Sequence, residues 1–260
     1  MNVLVGADPE MFVAHAGQLV SGIGMIGGSK YNPRPVDKGA IQEDNVLAEF
    51  NIDPASCEDE FVGNIQYVIQ QLQSVLPPKH TLECVQSYSF TEAYLRGVGP
   101  EAFIFGCDPD FNAWTGKENP KPKCDDVGFR TAGGHIHVGF DHHSEEDCTT
   151  MIQMMDYFLG IPSVLLDKDT DRRKLYGKAG CMRFKPYGVE YRTLSNFWIG
   201  SEELIRWAYR GTMSAVRAFS DKPSVHFLLK ELPQDEVFNI INNSDKAAAS
   251  EAMDILSEVA

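Results

Sequence analysis

The ten residues from Arg130 to Gly139, Arg-Thr-Ala-Gly-Gly-His-Ile-His-Val-Gly, leave little choice of local structure. Polar and apolar side chains alternate, and an extended strand sends successive side chains to opposite faces. His135 and His137 therefore share one face, while Ile136 and Val138 share the other with Phe140. Burying the apolar set aims both imidazoles at whatever lies across the sheet. Gly133 and Gly134 lack a Cβ, so a second backbone or a ligand can come close there. A half-buried strand with hydrogen-bonded histidines fits the same residues. Three other strands with polar residues at the same two-residue spacing favour a site.

The first lies near the start of the chain. Residues 2–14 read as a strand, a turn at Gly6–Pro9 and a second strand that opens on Glu10 and continues through Met11, Phe12 and Val13. A carboxylate there is costly to bury unless something pairs with it. Gln18–Val20 would complete a hairpin across Ala16 and Gly17. The second is Asp44–Pro54. Val46, Ala48, Phe50 and Ile52 make a core face, so Glu49 and Asn51 share the opposite one, with Asp44 and Asn45 at the entry. The third is Gly188–Trp198, where Glu190 and Arg192 face one way and Val189, Tyr191 and Thr193 the other.

Just before it runs a cationic stretch: Lys168, Arg172, Arg173, Lys174, Lys178, Arg183 and Lys185, interleaved with Gly177, Gly180 and Gly188. The whole chain carries a formal charge of −14. So dense a run on an acidic protein suits a multiply charged anion such as a triphosphate; a solvated loop paired with surface carboxylates is the plainer alternative. The acidic excess excludes a basic nucleic-acid face. No apolar run reaches the length of a bilayer span, and the start of the chain lacks a signal-peptide pattern, so no membrane partner and a cytosolic location are expected. The cysteines at 57, 84, 107, 124, 148 and 181 form no C-x-x-C pair and read as free thiols.

The remaining stretches read as scaffold. Residues 21–40 look like a glycine- and proline-rich loop carrying Lys30, Arg34 and Lys38 without Walker spacing. Ser56 would cap a helix with Phe61, Ile65, Val68 and Leu72 inward, and Leu82–Tyr88 would follow as a strand. Residues 97–129 read as a long loop with one short strand at Ala102–Phe105; Asp108, Asp110, Asp125 and Asp126 lack EF-hand spacing. Ser144 caps a helix that Gly160 and Pro162 would end. Ser201 caps another, and helical segments at Gln234–Ile241 and Ser244–Val259 close the chain.

Glu10, Asp44, Glu49, His135 and Glu190 are hard oxygen ligands plus one imidazole. If their strands are neighbours, they make a Mg²⁺ or Mn²⁺ site. Arg183, Lys185 and Arg192 would then stabilise a transferring phosphoryl group.

The order Asp8-Pro-Glu10, Asp44…Glu49-x-Asn51, Gly-Gly-His135-x-His137-x-Gly139 and Arg183-x-Lys185…Glu190-x-Arg192 resembles the carboxylate–amine ligases of the glutamine synthetase and glutamate–cysteine ligase superfamily. It looks closest to the phage-type (phiEco32-like) COOH–NH2 ligases, over about residues 1–200. The resemblance implies an α+β fold like the glutamine synthetase catalytic domain: a curved, mainly antiparallel sheet with the site on its concave face and helices outside. One catalytic domain would span 1–260, with a helical C-terminal part over 201–260. The implied reaction is ATP- and Mg²⁺-dependent (or Mn²⁺-dependent) joining of a carboxylate to an amine, from small-molecule or peptide substrates, through an acyl phosphate. Glu10, Glu49, Glu190, Asp44 and His135 would ligate metal. Glu190, Arg192 and His135 would be catalytic. Arg183, Lys185 and Arg192 would hold ATP, and His137 and Asn51 would face substrate. A phage origin would place the protein in the host cytoplasm. No separate glutamine synthetase N-terminal domain is recognisable, so glutamate is not carried over as substrate.

Two other readings fit parts of the chain. His135 and His137, with His142 and His143, suggest a zinc hydrolase, although the His-x-x-x-His and Cys-pair spacings are missing. A non-catalytic binding protein that keeps the fold is the other.

Overall fold

The computed structural model describes residues 2–104, 110–120, 124–141 and 143–259. Its centre is β1, Val3–His15, a single thirteen-residue strand with no turn at Gly6–Pro9. β1 stays extended because it changes partners along its length. Val3–Pro9 pairs with β11 (Gly134–Phe140), and Glu10 and Met11 pair with β5 (Leu47–Ile52). Val13–His15 pairs with β2 (Gln18–Val20), and Phe12–His15 with β6 (His80–Glu83). Pro9 lies opposite Gly134, and the next N–H, of Glu10, bonds the Gly133 carbonyl at 2.9 Å. The Pro9 nitrogen therefore faces away from β11, and pairing with β5 starts only at Glu10, so the missing N–H removes no ladder bond.

The other strands are β3 (Arg34–Val36), β4 (Gly39–Asp44), β7 (Ser87–Ser89), β8 (Phe111–Asn112), β9 (Lys117–Glu118), β10 (Phe129–Thr131), β12 (Cys181–Lys185) and β13 (Gly188–Tyr191). The main sheet runs β3-β4-β5-β1-β11-β13-β12-β8-β9, with β2 and β6 branching from β1, while β7 and β10 form a second small sheet. All the strand pairings are antiparallel. The α+β class holds, with a mainly antiparallel sheet and peripheral helices. The curved, glutamine synthetase-like sheet does not. The ladder is an open path ending at β3 and β9, and it forks at β1 instead of bending round the site.

Local chemistry explains the other departures. The predicted strand at Asp44–Pro54 is the end of β4, a tight turn, and β5. Asn45 sits at φ 53°, a region Asn tolerates, and its Nδ2 donates to the carbonyls of Glu101, Ala102 and Ile104 at 3.1, 3.1 and 2.9 Å. Val46 thereby leaves the main core and joins a smaller cluster with Phe12, Leu47, Phe90 and Leu95. α1 (Glu58–Val75) starts one residue later than expected, with Cys57 at the cap; Ser56 instead bonds Glu60. Leu82–Tyr88 splits between β6 and β7, and α2 (Glu92–Val98) follows. Ala102 and Phe103 lie in a 3₁₀ turn, not a strand; Phe105, Cys107 and Asp108 lie outside the described residues.

Ser144 caps α3 (Glu145–Met155) with a reciprocal bond to Asp147. Gly160 and Pro162 do not end this helix. It widens into a π turn at Asp156–Gly160 and continues as α4 (Ile161–Leu166). The wider turn shifts the hydrogen-bond register so that Pro162 sits in a first helical turn, where its missing N–H is harmless. After α5 (Arg172–Leu175), the C-terminal part is α6 (Glu202–Ser220), α7 (Lys222–Glu231), α8 (Gln234–Asn243) and α9 (Lys246–Leu256); α7 was not expected. Among the described residues no helix is long and apolar enough to cross a membrane. Cys57, Cys84, Cys124, Cys148 and Cys181 are free.

The helices cover one face of the main sheet through Val5, Ala7, Phe50, Ile136, Val138 and Val189. The opposite face carries the polar set. The strand expected over Gly188–Trp198 ends at Tyr191, and the segment after it, which closes in a 3₁₀ turn at Asn196–Gly200, is locked onto β11: Trp198 Nε1 donates to the Gly134 carbonyl at 3.0 Å, and Gly134 N–H donates to the Leu194 carbonyl at 3.0 Å. A Cβ on Gly134 would collide with the Ser195 carbonyl and Trp198 Nε1. Gly134→Ala is expected to lower the urea unfolding free energy by about 2–3 kcal/mol through overpacking. An unchanged midpoint would mean that this approach is not tight.

Candidate functional site

The polar face of β1, β4, β5, β11 and β12 encloses a cavity of about 610 Å³. Glu10, Asp44, Glu49, Asn51, His135, His137, Arg183, Lys185 and Arg192 all line it. Glu190 lies just beneath, with a fully buried side chain. Strand parity and register account for this convergence. Asp8 lies opposite His135, Glu10 opposite Glu49, and Glu190 between His137 and Arg183.

One wall is acidic. Burial, then the neighbouring Asp44, push the Glu10 carboxyl up to about 8, although Gly133 N–H donates to its Oε2 at 2.7 Å. Burial raises Asp44 as well, opposed mainly by the charge of Lys30. Burial and then Asp8, Asp44 and Glu10 hold Glu49 well above the carboxylate range, against a 2.5 Å hydrogen bond from Gln42 Nε2. Asp44 raises Glu10, and both raise Glu49, so this wall lacks positive charge.

The other wall is cationic and gathers on Glu190. Its Oε1 contacts Arg192 Nη1 and lies 3.7 Å from Arg183 Nη1, and its Oε2 lies 2.7 Å from Lys185 Nζ. Burial and Asp8 push Glu190 up, but Arg192, then His135 and His137, outweigh them and hold it at about 2. Asp110 Oδ2 is 3.7 Å from Arg192 Nε.

Between the walls, Asp8 Oδ1 is 3.2 Å from His135 Nδ1 and 3.1 Å from His137 Nε2. Burial and then Arg192 push His135 down to about 4, so it is neutral near pH 7. Burial also opposes a charge on His137, but Asp8 prevails and raises it. Tyr187 OH bonds the other nitrogen, His137 Nδ1.

A divalent metal fits this donor set. Among the described residues, Asp8, His137 and Glu190 each offer a ligand atom, all within 4.8 Å of one another. Asp8 Oδ1, His137 Nε2 and Glu190 Oε2 are also buried, met by charged neighbours but by no well-aligned hydrogen bond. Two carboxylate oxygens and an imidazole are donors that a divalent cation takes.

Several residues of the cavity lining are not among those the sequence singles out. Asp8 falls in a stretch of turn composition, although its two-residue spacing from Glu10 is the available signal. Gln42 was passed over beside Asp44, and Tyr187 between Lys185 and Gly188. The cationic run divides. Arg172 Nη1 bonds the Thr193 carbonyl at 3.0 Å and Arg173 Nη2 bonds Ser163 Oγ at 2.8 Å, both deep in the fold. Lys168, Lys174 and Lys178 are exposed. Only Arg183 and Lys185 of that run line the cavity. The four-histidine zinc set is not assembled by the described residues. His143 Nδ1 bonds the Phe140 carbonyl at 2.9 Å away from the cavity lining, and His142 lies outside the described residues.

Residues 126–222 match the family described as Phage phiEco32-like COOH.NH2 ligase-type 2. That segment contains β11, β12 and β13 but not Asp8, Glu10, Asp44 or Glu49. No curated relative matches the chain. One solved structure it is similar to is the bifunctional glutathione synthetase from Pasteurella multocida, at 12% identity and a TM-score of 0.44, covering 99% of this chain and 46% of that one. The chain thus spans less than half the length of that protein. Over its central segment it is similar to a ligase family, and it carries a candidate metal-coordinating cluster.

Proposed function

We propose that the chain is an ATP- and Mg²⁺-dependent carboxylate–amine ligase, one catalytic unit across residues 1–260, forming an amide or peptide bond through an acyl phosphate. The observation that carries this reading is the facing of the Glu10, Asp44 and Glu49 wall by Arg183, Lys185 and Arg192 across one cavity. Such a site suits a polyanion that brings its own cations. The similarity of residues 126–222 to a ligase family supports it.

In this reading a substrate carboxylate oxygen attacks the γ-phosphorus of ATP, and the bond to the bridging oxygen breaks to release ADP. An amine nitrogen then attacks the acyl carbon, phosphate leaves, and the amine loses a proton. Arg183, Lys185 and Arg192 neutralise phosphate oxygens as the transition state forms. Glu190 aims Arg192 and Lys185. His135, neutral near pH 7, supplies a ring nitrogen beside Asp8 and Arg192. Asn51 stands on the substrate side. Asp8, His137 and Glu190, with Glu10, Asp44, Glu49 and His135 around them, would hold Mg²⁺ (or Mn²⁺), which would supply positive charge to the phosphate oxygens.

The test is acyl-phosphate trapping. Protein, Mg·ATP and pools of amino acids or peptides are incubated with hydroxylamine in place of the amine. A hydroxamate formed with equimolar ADP, and lost in Glu49→Gln, is the expected result. ATP-independent hydrolysis of the same pools, or stabilisation by Zn²⁺ but not by Mg·ATP, would overturn the reading. Mg·ATP at about 100 times its dissociation constant should stabilise the fold by about 2.7 kcal/mol.

A further inference from the structure

Asp156 opens the π turn inside the long helix and is fully buried. Its Oδ2 accepts from Trp114 Nε1 at 2.7 Å. Its Oδ1 accepts from the Tyr191 hydroxyl at 2.7 Å and lies 3.4 Å from the Thr193 hydroxyl, which donates to the Lys178 carbonyl at 2.9 Å. The backbone N–H of Gly180 is a further donor. These partners are all neutral. Burial pushes the carboxyl up to about 7 against them. An acidic side chain in this core is expensive unless what it holds matters.

What it holds is the back of the cationic wall. Tyr191 and Thr193 flank Arg192. Gly180 leads into β12, which carries Arg183 and Lys185. Trp114 follows β8, in the hairpin that begins just after Asp110, the residue beside Arg192. Two glycines keep the room free. A Cβ on Gly160 would come within 2.7 Å of the Tyr191 hydroxyl and 3.1 Å of Asp156 Oδ1. A Cβ on Gly180, whose φ is +75°, would come within 2.7 Å of Trp114 Cδ1. The π turn brings the carboxylate to the point where these donors converge, and such turns recur at functional sites.

We propose that Asp156 is a positioning residue: by binding Tyr191, Gly180 and Trp114 at once, it fixes where Arg192, Arg183 and Lys185 stand in the cavity. Its importance for anion binding rests on the ligase reading; its hold on Arg192 does not. Tyr191→Phe removes one hydroxyl and Trp114→Phe one N–H. Asp156→Asn replaces one acceptor oxygen with a second donor, which must face Trp114 or Tyr191.

The experiment records the Arg192 Nε–H signal in ligand-free protein with arginine-selective ¹⁵N labelling, assigned by its loss in Arg192→Lys. Inorganic tripolyphosphate titrations and urea unfolding accompany it. Asp156→Asn and Tyr191→Phe are expected to move the Arg192 signal and to weaken tripolyphosphate binding about tenfold or more, as small displacements of a binding group do. Ile65→Val, a core change in α1 outside the network, is expected to lower stability and move neither. Should Asp156→Asn fail to fold, Tyr191→Phe and Trp114→Phe carry the same readout. Lower stability with an unmoved Arg192 signal would reduce Asp156 to a structural residue and overturn the proposal. A wild-type protein that ignores tripolyphosphate, with a signal that still moves, would sink the ligase reading and leave the positioning role standing.

Discussion

Glu190→Gln is expected to lower ligase turnover by about a hundredfold or more and to destabilise the ligand-free protein by about 3 kcal/mol. The reason is the arrangement around a fully buried carboxylate. Arg192, Lys185, Arg183 and His135 all lie within 4 Å of it. A neutral amide there leaves three cations facing one another with no anion between them. Breaking a buried ion cluster on one side costs far more than the intact cluster contributes, because the remaining charges stay desolvated.

The same substitution has a second consequence of opposite sign. The Arg192, Lys185 and Arg183 charges released from Glu190 are available to an added polyanion. Tripolyphosphate without metal should therefore raise the unfolding free energy of Glu190→Gln more than that of the wild type, even as turnover falls. Paired measurements of stability, with and without tripolyphosphate, check this. A variant as stable as the wild type and no more responsive to the anion would mean that the Glu190 cluster does not organise the cations.

The residues that strand parity brought together were legible because parity is local. Glu49 and Asn51 share a face whatever β5 pairs with, and so do His135 and His137. Asp8 was not legible for the opposite reason. Gly6–Pro9 has turn composition, and only β11 on one edge and β5 beyond Pro9 keep β1 extended. The π turn is a similar case. Gly160 and Pro162 read as a helix end, but Asp156 meets donors from three distant segments, and that convergence holds the helix through the proline. Charge runs carry still less direction. Nothing adjacent to Arg172 announces that the Thr193 carbonyl will receive it while Arg183, eleven residues on, points into the cavity. The open, forked sheet could not be read from a family resemblance because the fork depends on which strands flank β1, and no motif encodes that.

In EDTA, the folded protein is expected to lose about 1.5 kcal/mol of stability or more between pH 6.5 and pH 8, with the slope reversed by millimolar Mg²⁺. The sign follows from which state holds more protons. Glu10 in the folded chain is raised to about 8, and Glu49 is held well above the ordinary carboxylate range. Above pH 6.5 the unfolded chain has already lost both protons, while the folded one still carries that of Glu10, and Glu49 is shifted in the same direction. His137 adds to this, since Asp8 raises it above its ordinary 6.5. Stability therefore falls as pH rises through the folded values. Between the ordinary carboxylate range and pH 6.5 the decline is shallower, because His135, lowered to about 4, binds its proton only in the unfolded chain and opposes the trend. Below about 4 the balance changes. Asp8 lies well below its ordinary value and Glu190 at about 2, so the stability they contribute is lost as they protonate. A divalent ion seated between the acidic wall and Asp8 would displace the retained protons, and its affinity rises with pH as they leave. Glu10→Gln should flatten the EDTA curve between pH 6.5 and 8 and weaken the Mg²⁺ response. Urea unfolding at half-unit pH intervals, with EDTA or with Mg²⁺, decides it: stability that is flat or rising in EDTA would show that these carboxyls are already ionised, and the case for a charge-deficient metal site would fail with it.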